Sequence, residues 1–264
     1  LIDKYGSELL GDVPSNGTKG GLPLLIKLLD ACKDLSIQVH PDDIYAKKNK
    51  LNDRGKMEAW FVLHSTEGRV AYGLKNGVGP KEFRFAVNTD SVEEVIRFFP
   101  VKRGDIIFSP PGTVHALCEG VVIYEVQQSS DLTFRIHDYN RPGLDGKPRE
   151  LHLERAMDVI DFTADLPSPQ HWSTLTDATE NGCTLVDCEH FRTDYFCDLN
   201  RRHEVGNCFE ALTVVDGSAS LSSSDGEYVL SAGSTAFLKP GTQLSIESVE
   251  GSFEYIISAA LSHE

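Results

Sequence analysis

The sequence predicts a mainly β protein made of two small barrels with a few short helices. Three observations carry that reading. Apolar runs are short and end in turn signals, as in Gly104-Asp105-Ile106-Ile107-Phe108-Ser109-Pro110-Pro111-Gly112, a β-prone stretch between two tight turns. The chain also echoes itself. Gly104 is followed by Pro110-Pro111-Gly112 and then His115, and Gly233 is followed at the same spacing by Lys239-Pro240-Gly241 and Leu244. Finally, Pro167 and Pro169 mark a linker. The predicted organisation is a metal-binding domain with helical insertions at 1–163, a linker at 164–172, and a second domain without metal ligands at 173–264.

The elements follow in order. Residues 1–21 read as a loop with one helical turn near Tyr5–Leu10. Strands are expected at 24–29 and 35–40. Pro41-Asp42-Asp43 starts a short helix, because acidic residues favour a first turn. Strands at 57–63 and 69–74 flank Thr66-Glu67-Gly68. Ser91 reads as the cap of a helix over Val92–Phe99 that ends at Pro100. Strands return at 104–109, 113–117 and 121–128. A 3.6-residue period over 149–160 puts Leu153, Ala156, Met157 and Ile160 on one helix face. Beyond the linker, 183–199, 208–222 and 227–238 read as strand, with Asp216-Gly217 and Asp225-Gly226 as hairpin signals.

The chain has 264 residues, 40% of them hydrophobic and 25% charged, ordinary values for a globular protein. Its net charge of −15 argues against a nucleic-acid partner, although a pocket can hold local cations against the global sign. No apolar run of about 18 residues suggests a membrane span. Six cysteines without a CxxC pair read as reduced thiols in a cytoplasmic protein. The first residue is Leu1 with no signal-peptide pattern, so a missing N-terminal part of the first barrel is expected.

Four side chains able to bind metal fall in strand-like segments. Gln38 and His40 share a face by the period of 2; Glu58 and His115 complete a mixed nitrogen and oxygen set. That set suits a borderline divalent ion, most simply Zn²⁺. Lys27 interrupts Leu24-Leu25-Ile26 and Leu28-Leu29, so its charge must meet water, a cavity or an anion. Lys56 shares the face of Glu58. Glu125 and Gln127 share a face at a strand end, where they suit a polyol.

These residues resemble a known family. Gly104 to His115 resembles the second cupin motif, with Glu119 where an asparagine is expected. Leu24–Leu29, Ser36–Asp43, Lys56-Met57-Glu58-Ala59-Trp60, Pro111–Ala116, Tyr124–Asp131 and Arg149-Glu150-Leu151-His152 together resemble the short bacterial form of type I mannose-6-phosphate isomerase. The resemblance is dense from Leu22 to Ile160. It implies two cupin-type jelly-roll barrels, one zinc ion per chain on Gln38, His40, Glu58 and His115, and a substrate pocket with Lys27, Lys56, Glu125 and Arg135. Arg135 lies in Thr133–Arg141, similar to the family's active-site arginine segment, which makes it the implied catalytic residue. Family members usually carry an aromatic pair around it; Ile136-His137 departs from that pattern.

The implied reaction interconverts mannose 6-phosphate and fructose 6-phosphate through an enediol-type proton transfer. The partner is a small sugar phosphate, and the chain is a monomer or dimer. The proton carrier stays open among Glu125, Lys56 and a zinc-bound water. A non-catalytic sugar-phosphate-binding protein on the same barrel is the alternative.

Overall fold

Helix α1 (Ile2–Leu10) comes first, and strand far outweighs helix over the described residues, as the sequence predicts. The structure, a computed structural model, describes residues 2–13, 21–143 and 146–261. Residues 14–20, part of the stretch read as loop, lie outside the described residues.

The chain divides into two units, Ile26–Pro169 and the combination of Leu1–Leu25 with Gln170–Glu264. Residues 1–25 thus group with the C-terminal unit, whereas the sequence reading put them in the first domain. The cause is local pairing. The Asp12 N–H donates to Asn207 O at 3.0 Å and the Phe209 N–H to Leu10 O at 3.2 Å.

The first unit carries β1 (Leu24–Asp30), β2 (Ile37–Val39), α2 (Asp43–Lys48), β3 (Glu58–Ser65), β4 (Arg69–Leu74), α3 (Pro80–Asn88), β5 (Ile96–Pro100), β6 (Asp105–Ser109), β7 (His115–Leu117), β8 (Val121–Gln128), β9 (Phe134–His137) and α4 (Leu153–Val159). One sheet includes the order β1-β8-β3-β6 and the other runs β5-β4-β7-β2-β9. Alternate residues of each strand face the space between the sheets. Along β8 these are Ile123, Glu125 and Gln127; along β3 they are Val62, Trp60 and Glu58. The ladder sets Trp60 opposite Glu125 and Glu58 opposite Gln127. One end of the interior is therefore apolar, where Trp60, Val62, Val70, Tyr72, Ile107, Leu117 and Ile123 pack together. The other end is polar.

The outer face of the second sheet is also buried. Ile37, Val39, Ala71, Ala116, Phe134 and Ile136 pack with Phe83 of α3 and Ala156 of α4. Ile160 joins this cluster and Met157 packs against it, so the helix face expected over 149–160 is the buried one. Helix α2 starts where expected, and Asp42 caps it, accepting the Tyr45 N–H at 2.6 Å, a contact worth about 1 kcal/mol.

The second unit carries β10 (Gln170–His171), β11 (Gly182–Asp187), β12 (Phe191–Cys197), β13 (Arg201–Glu204), β14 (Glu210–Asp216), β15 (Ser218–Ser223), β16 (Gly226–Ser231), β17 (Thr235–Leu238), β18 (Gln243–Ser248) and β19 (Glu254–Ala260). Its sheets run β11-β12-β19-β14-β17 and β13-β18-β15-β16. The sequence echo is a structural one. Gly104 donates its N–H to Val62 O at 2.8 Å and Gly233 to Val214 O at 2.9 Å; Thr113 donates to Pro110 O at 3.2 Å and Thr242 to Lys239 O at 3.1 Å. Gly104, Gly112, Gly233 and Gly241 have φ of 89°, 86°, 87° and 71°, a region that favours glycine.

Three expectations are corrected. The helix over Val92–Phe99 is one 3₁₀ turn, Val92–Val95, followed by β5; the acidic first turn holds, Ser91 precedes the turn but its hydroxyl donates back to Ala86 O rather than capping it, and then pairing with β4 prevails. Helix α3 falls in a stretch for which the sequence reading gives no element, although Pro80 sits in its first turn and Glu82 accepts the Gly79 N–H at 3.2 Å. Asp216-Gly217 is not a hairpin, because β14 and β15 belong to different sheets; Asp225-Gly226 is, with Ser223 paired to Gly226.

Candidate active site

The polar end of the first unit is built by register. Gln38 of β2 pairs with His115 of β7 and also with Arg135 of β9. Directly paired residues share a sheet face, so these three side chains start from one face. Across the interior, Glu58 of β3 pairs with Gln127 of β8 and with Ser109 of β6. His40 follows β2 by one residue, and Lys56 precedes β3 by two.

His40, Glu58 and His115 form a buried group whose ligand atoms lie within 4.8 Å of one another, a set that can hold a metal ion. The His115 Nε2 to Glu58 Oε1 distance is 3.0 Å, and His40 Nε2 to Glu58 Oε2 is 3.4 Å. Backbone carbonyls fix both rings. His40 Nδ1 donates to Leu132 O at 2.8 Å, and His115 Nδ1 to Thr113 O at 3.0 Å. Both Nε2 atoms then present lone pairs to the carboxylate. Acceptors facing acceptors at such distances repel unless a cation lies among them.

Two further observations fit a cation. Glu58 is fully buried, and neither of its oxygens receives a directed hydrogen bond, though Lys56 Nζ stands 3.1 Å from Oε2. Burial lowers His40 to about 4, helped by the Lys56 charge, so the ring is neutral near pH 7 as a ligand must be. Burial pushes the Glu58 carboxyl up, but Lys56, His115 and His40 outweigh it and hold the group well below its usual range. The Gln38 amide nitrogen lies 3.2 Å from His115 Nε2 and 3.5 Å from His40 Nε2. A half-turn of the amide puts its oxygen at that point, since the two orientations have the same shape.

Lys27 and Glu125 form a second group. Lys27 Nζ lies 2.6 Å from Glu125 Oε2 and 2.5 Å from Gln127 Oε1. The other Glu125 oxygen accepts the Trp60 indole N–H at 3.0 Å. Trp60 also meets the His115 ring edge-on, with centroids 5.4 Å apart, so it joins the two groups. Arg135 enters through the ladder beside Gln38, and its Nε is buried without a hydrogen-bond acceptor. Sequence reasoning did not assign Trp60 or the carbonyls of Thr113 and Leu132. Trp60 was accessible by period 2 from Glu58; the carbonyls carry no side-chain signal.

Comparison with known proteins agrees with this picture. The model of the family "Phosphomannose isomerase type I, catalytic domain" matches residues 2–73. The Bacillus subtilis (strain 168) protein named "Putative mannose-6-phosphate isomerase YvyI" is 34% identical over 242 residues, covering 89% of the chain and 74% of that protein. "Probable mannose-6-phosphate isomerase GmuF" of the same organism is 42% identical over 138 residues, covering 52% of the chain and 44% of its own length. The chain thus spans less than half of GmuF and about three quarters of YvyI. Among solved structures, the mannose 6-phosphate isomerase from Bacillus subtilis superposes with a TM-score of 0.82 at 30% identity, covering 97% of the chain and 80% of its own. No described helix is long and apolar enough to cross a membrane.

Proposed function

The chain belongs to the type I phosphomannose isomerase family, and from that premise we propose that it interconverts mannose 6-phosphate and fructose 6-phosphate with one zinc ion. Gln38, His40, Glu58 and His115 would hold the ion. The single observation behind this reading is the convergence of two fixed imidazole lone pairs on a buried carboxylate whose oxygens receive no directed hydrogen bond. When bound, zinc supplies a Lewis acid that polarises sugar oxygens.

The chain's own residues supply the rest. The reaction moves a proton between C2 and C1 through an enediol, so negative charge develops on oxygen and must be met by donors already in position. Lys27 beside Glu125, Lys56 beside Glu58 and Arg135 opposite Gln38 would together suit a dianionic sugar phosphate despite the acidic whole. Glu125 orients Lys27, since both its oxygens are engaged, by Lys27 and Trp60. Arg135, with an unpartnered buried Nε, is the group we assign to the developing oxyanion or the phosphate. Lys56 and Glu125 are the chain groups suited to carry the proton. Solvent-deuterium exchange into C1 and C2, followed in Lys56→Met and Glu125→Gln, separates them, because the variant that loses the carrier loses exchange together with turnover.

The test of the whole reading is a coupled assay for fructose 6-phosphate formed from mannose 6-phosphate, run before chelation, after chelation and after zinc return. Loss and recovery are expected. Absence of turnover before chelation and after zinc return, with zinc shown to be bound in both, would favour the non-catalytic sugar-phosphate binder instead.

A further inference from the structure

The second unit keeps part of the first unit's site. Glu210 pairs with Leu238 and Ala259 as Glu58 pairs with Ser109 and Gln127. His203 pairs with Leu244 as Gln38 pairs with His115. Val205 O accepts the Gly241 N–H at 3.0 Å as His40 O accepts that of Gly112 at 2.9 Å. Gln38, His40, Glu58 and His115 therefore correspond to His203, Val205, Glu210 and Leu244.

Two of the four positions remain polar, and they bond to each other. His203 Nε2 lies 2.5 Å from Glu210 Oε2, with the side chains only 10% and 13% exposed. Arg201 donates to His203 Nδ1 at 2.8 Å, so Nε2 carries the proton that Glu210 accepts. That proton and the aliphatic Val205 and Leu244 leave too few ligands for a metal.

The pair borders a cavity of about 460 Å³, lined also by Thr184, Arg192, Asp194, Phe196 and Ala259. The volume lies within the range of small-molecule sites. Its charged lining is mixed in sign, with Asp177, Asp194 and Glu210 beside Arg192 and Arg201; Arg192 Nε stands 3.0 Å from Asp194 Oδ2 and its Nη1 3.1 Å from Asp187 Oδ2. A lining of three acids against two arginines gives little to an anion. It offers acceptors and donors in turn beside Ile257, Ala259 and the ring of Phe196, which already packs on Tyr255 and under Arg201, and that alternation is the chemistry that meets ring hydroxyls. We propose that the second unit binds a neutral hexose-type polyol in this cavity, without metal and without turnover.

The test titrates D-mannose, and separately mannose 6-phosphate, into the full ¹⁵N-labelled chain and follows amide shifts. D-mannose is expected to move Thr184, Asp194, His203 and Ala259 with a Kd on the order of millimolar. Those shifts persist in Glu58→Gln, which disables only the first unit's site. They vanish in Ala259→Phe, whose ring fills the cavity, and weaken about tenfold in Glu210→Gln, which serves alone if Ala259→Phe fails to fold. The proposal is overturned if no second-unit shift appears up to about 100 mM sugar, if both cavity variants bind unchanged, or if the phosphorylated sugar binds there more tightly than the neutral one.

Discussion

The two units use one framework for opposite interiors. Both order their strands alike, β1-β8-β3-β6 against β12-β19-β14-β17, and both close the same turn with the same backbone hydrogen bonds. In the first unit the buried polar residues include His40, Lys56, Glu58, His115, Glu125 and Asp138; in the second, among the described residues, they are Thr193, Thr213 and Ser258, none charged. Leu244 and Ile246 fill the second unit's core along β18, whereas β7 brings His115. The backbone ladder sets the shape in both. A few inward side chains decide whether the interior packs as hydrocarbon or holds an ionised cluster.

The largest test erases that difference. His115→Leu gives the first unit the residue of the second, and turnover should fall by about 10³-fold or more with loss of bound metal, since one ligand and its fixed tautomer disappear. Metal analysis beside the isomerase assay reads this; retained metal and activity would break the comparison. Lys27→Met should lower kcat/KM by about 10- to 100-fold with metal retained, because Glu125 loses its cation while the His–Glu cluster is untouched. A parallel loss of metal would show that the two groups are one. The converse of the first test is Val205→His with Leu244→His. The double variant should bind a second metal per chain, after an initial destabilisation of about 2–4 kcal/mol that metal partly reverses; unchanged stoichiometry would show that register alone does not make a site.

The smallest effect concerns Asp138, a buried acid with no charged counterpart in the other interior. Burial pushes its carboxyl up, but hydrogen bonds from Arg149 and Arg141 outweigh that and hold it below the usual range. A lowered acid stabilises fully above its unfolded value, near pH 4, and loses that stabilisation as pH falls through the folded value. Asp138→Asn should therefore cost about 1–2 kcal/mol near neutrality, discounted for the partly exposed arginines. Denaturant titrations at descending pH should show the gap closing; a gap that widens in acid would contradict the linkage.

Much of the first unit's site was legible because a strand has a period of 2. Gln38 with His40 and Lys56 with Glu58 share faces in the sequence as they do in the structure. The turn glycines of the echo were legible for a related reason, since their backbone angles restrict the residue type. Contacts made by tertiary closure were not. Nothing local ties Trp60 to Glu125, and nothing in Leu132 marks its carbonyl as the partner of His40. The correspondence of Glu58 with Glu210 was also hidden. Met57-Glu58-Ala59 and Phe209-Glu210-Ala211 look alike, but the first unit inserts α3 and its loops between β4 and β5, where the second has a tight hairpin, so the spacing between copies drifts. Val92–Phe99 failed differently: its helix signals are real for one turn, and partner strands outweigh them beyond it.

The hydrogen bond from each turn glycine ends on the main-chain carbonyl of residue 40 or residue 205. It asks nothing of the side chain there. An imidazole and an isopropyl group occupy equivalent positions without changing the bond that closes the barrel. Position 40 and its counterpart thus behave as a socket, in which chemistry can be exchanged by mutation while the folding instructions stay intact. A chain with two such sockets can lose a reaction in one copy and explore another ligand there, with the original activity kept in its twin.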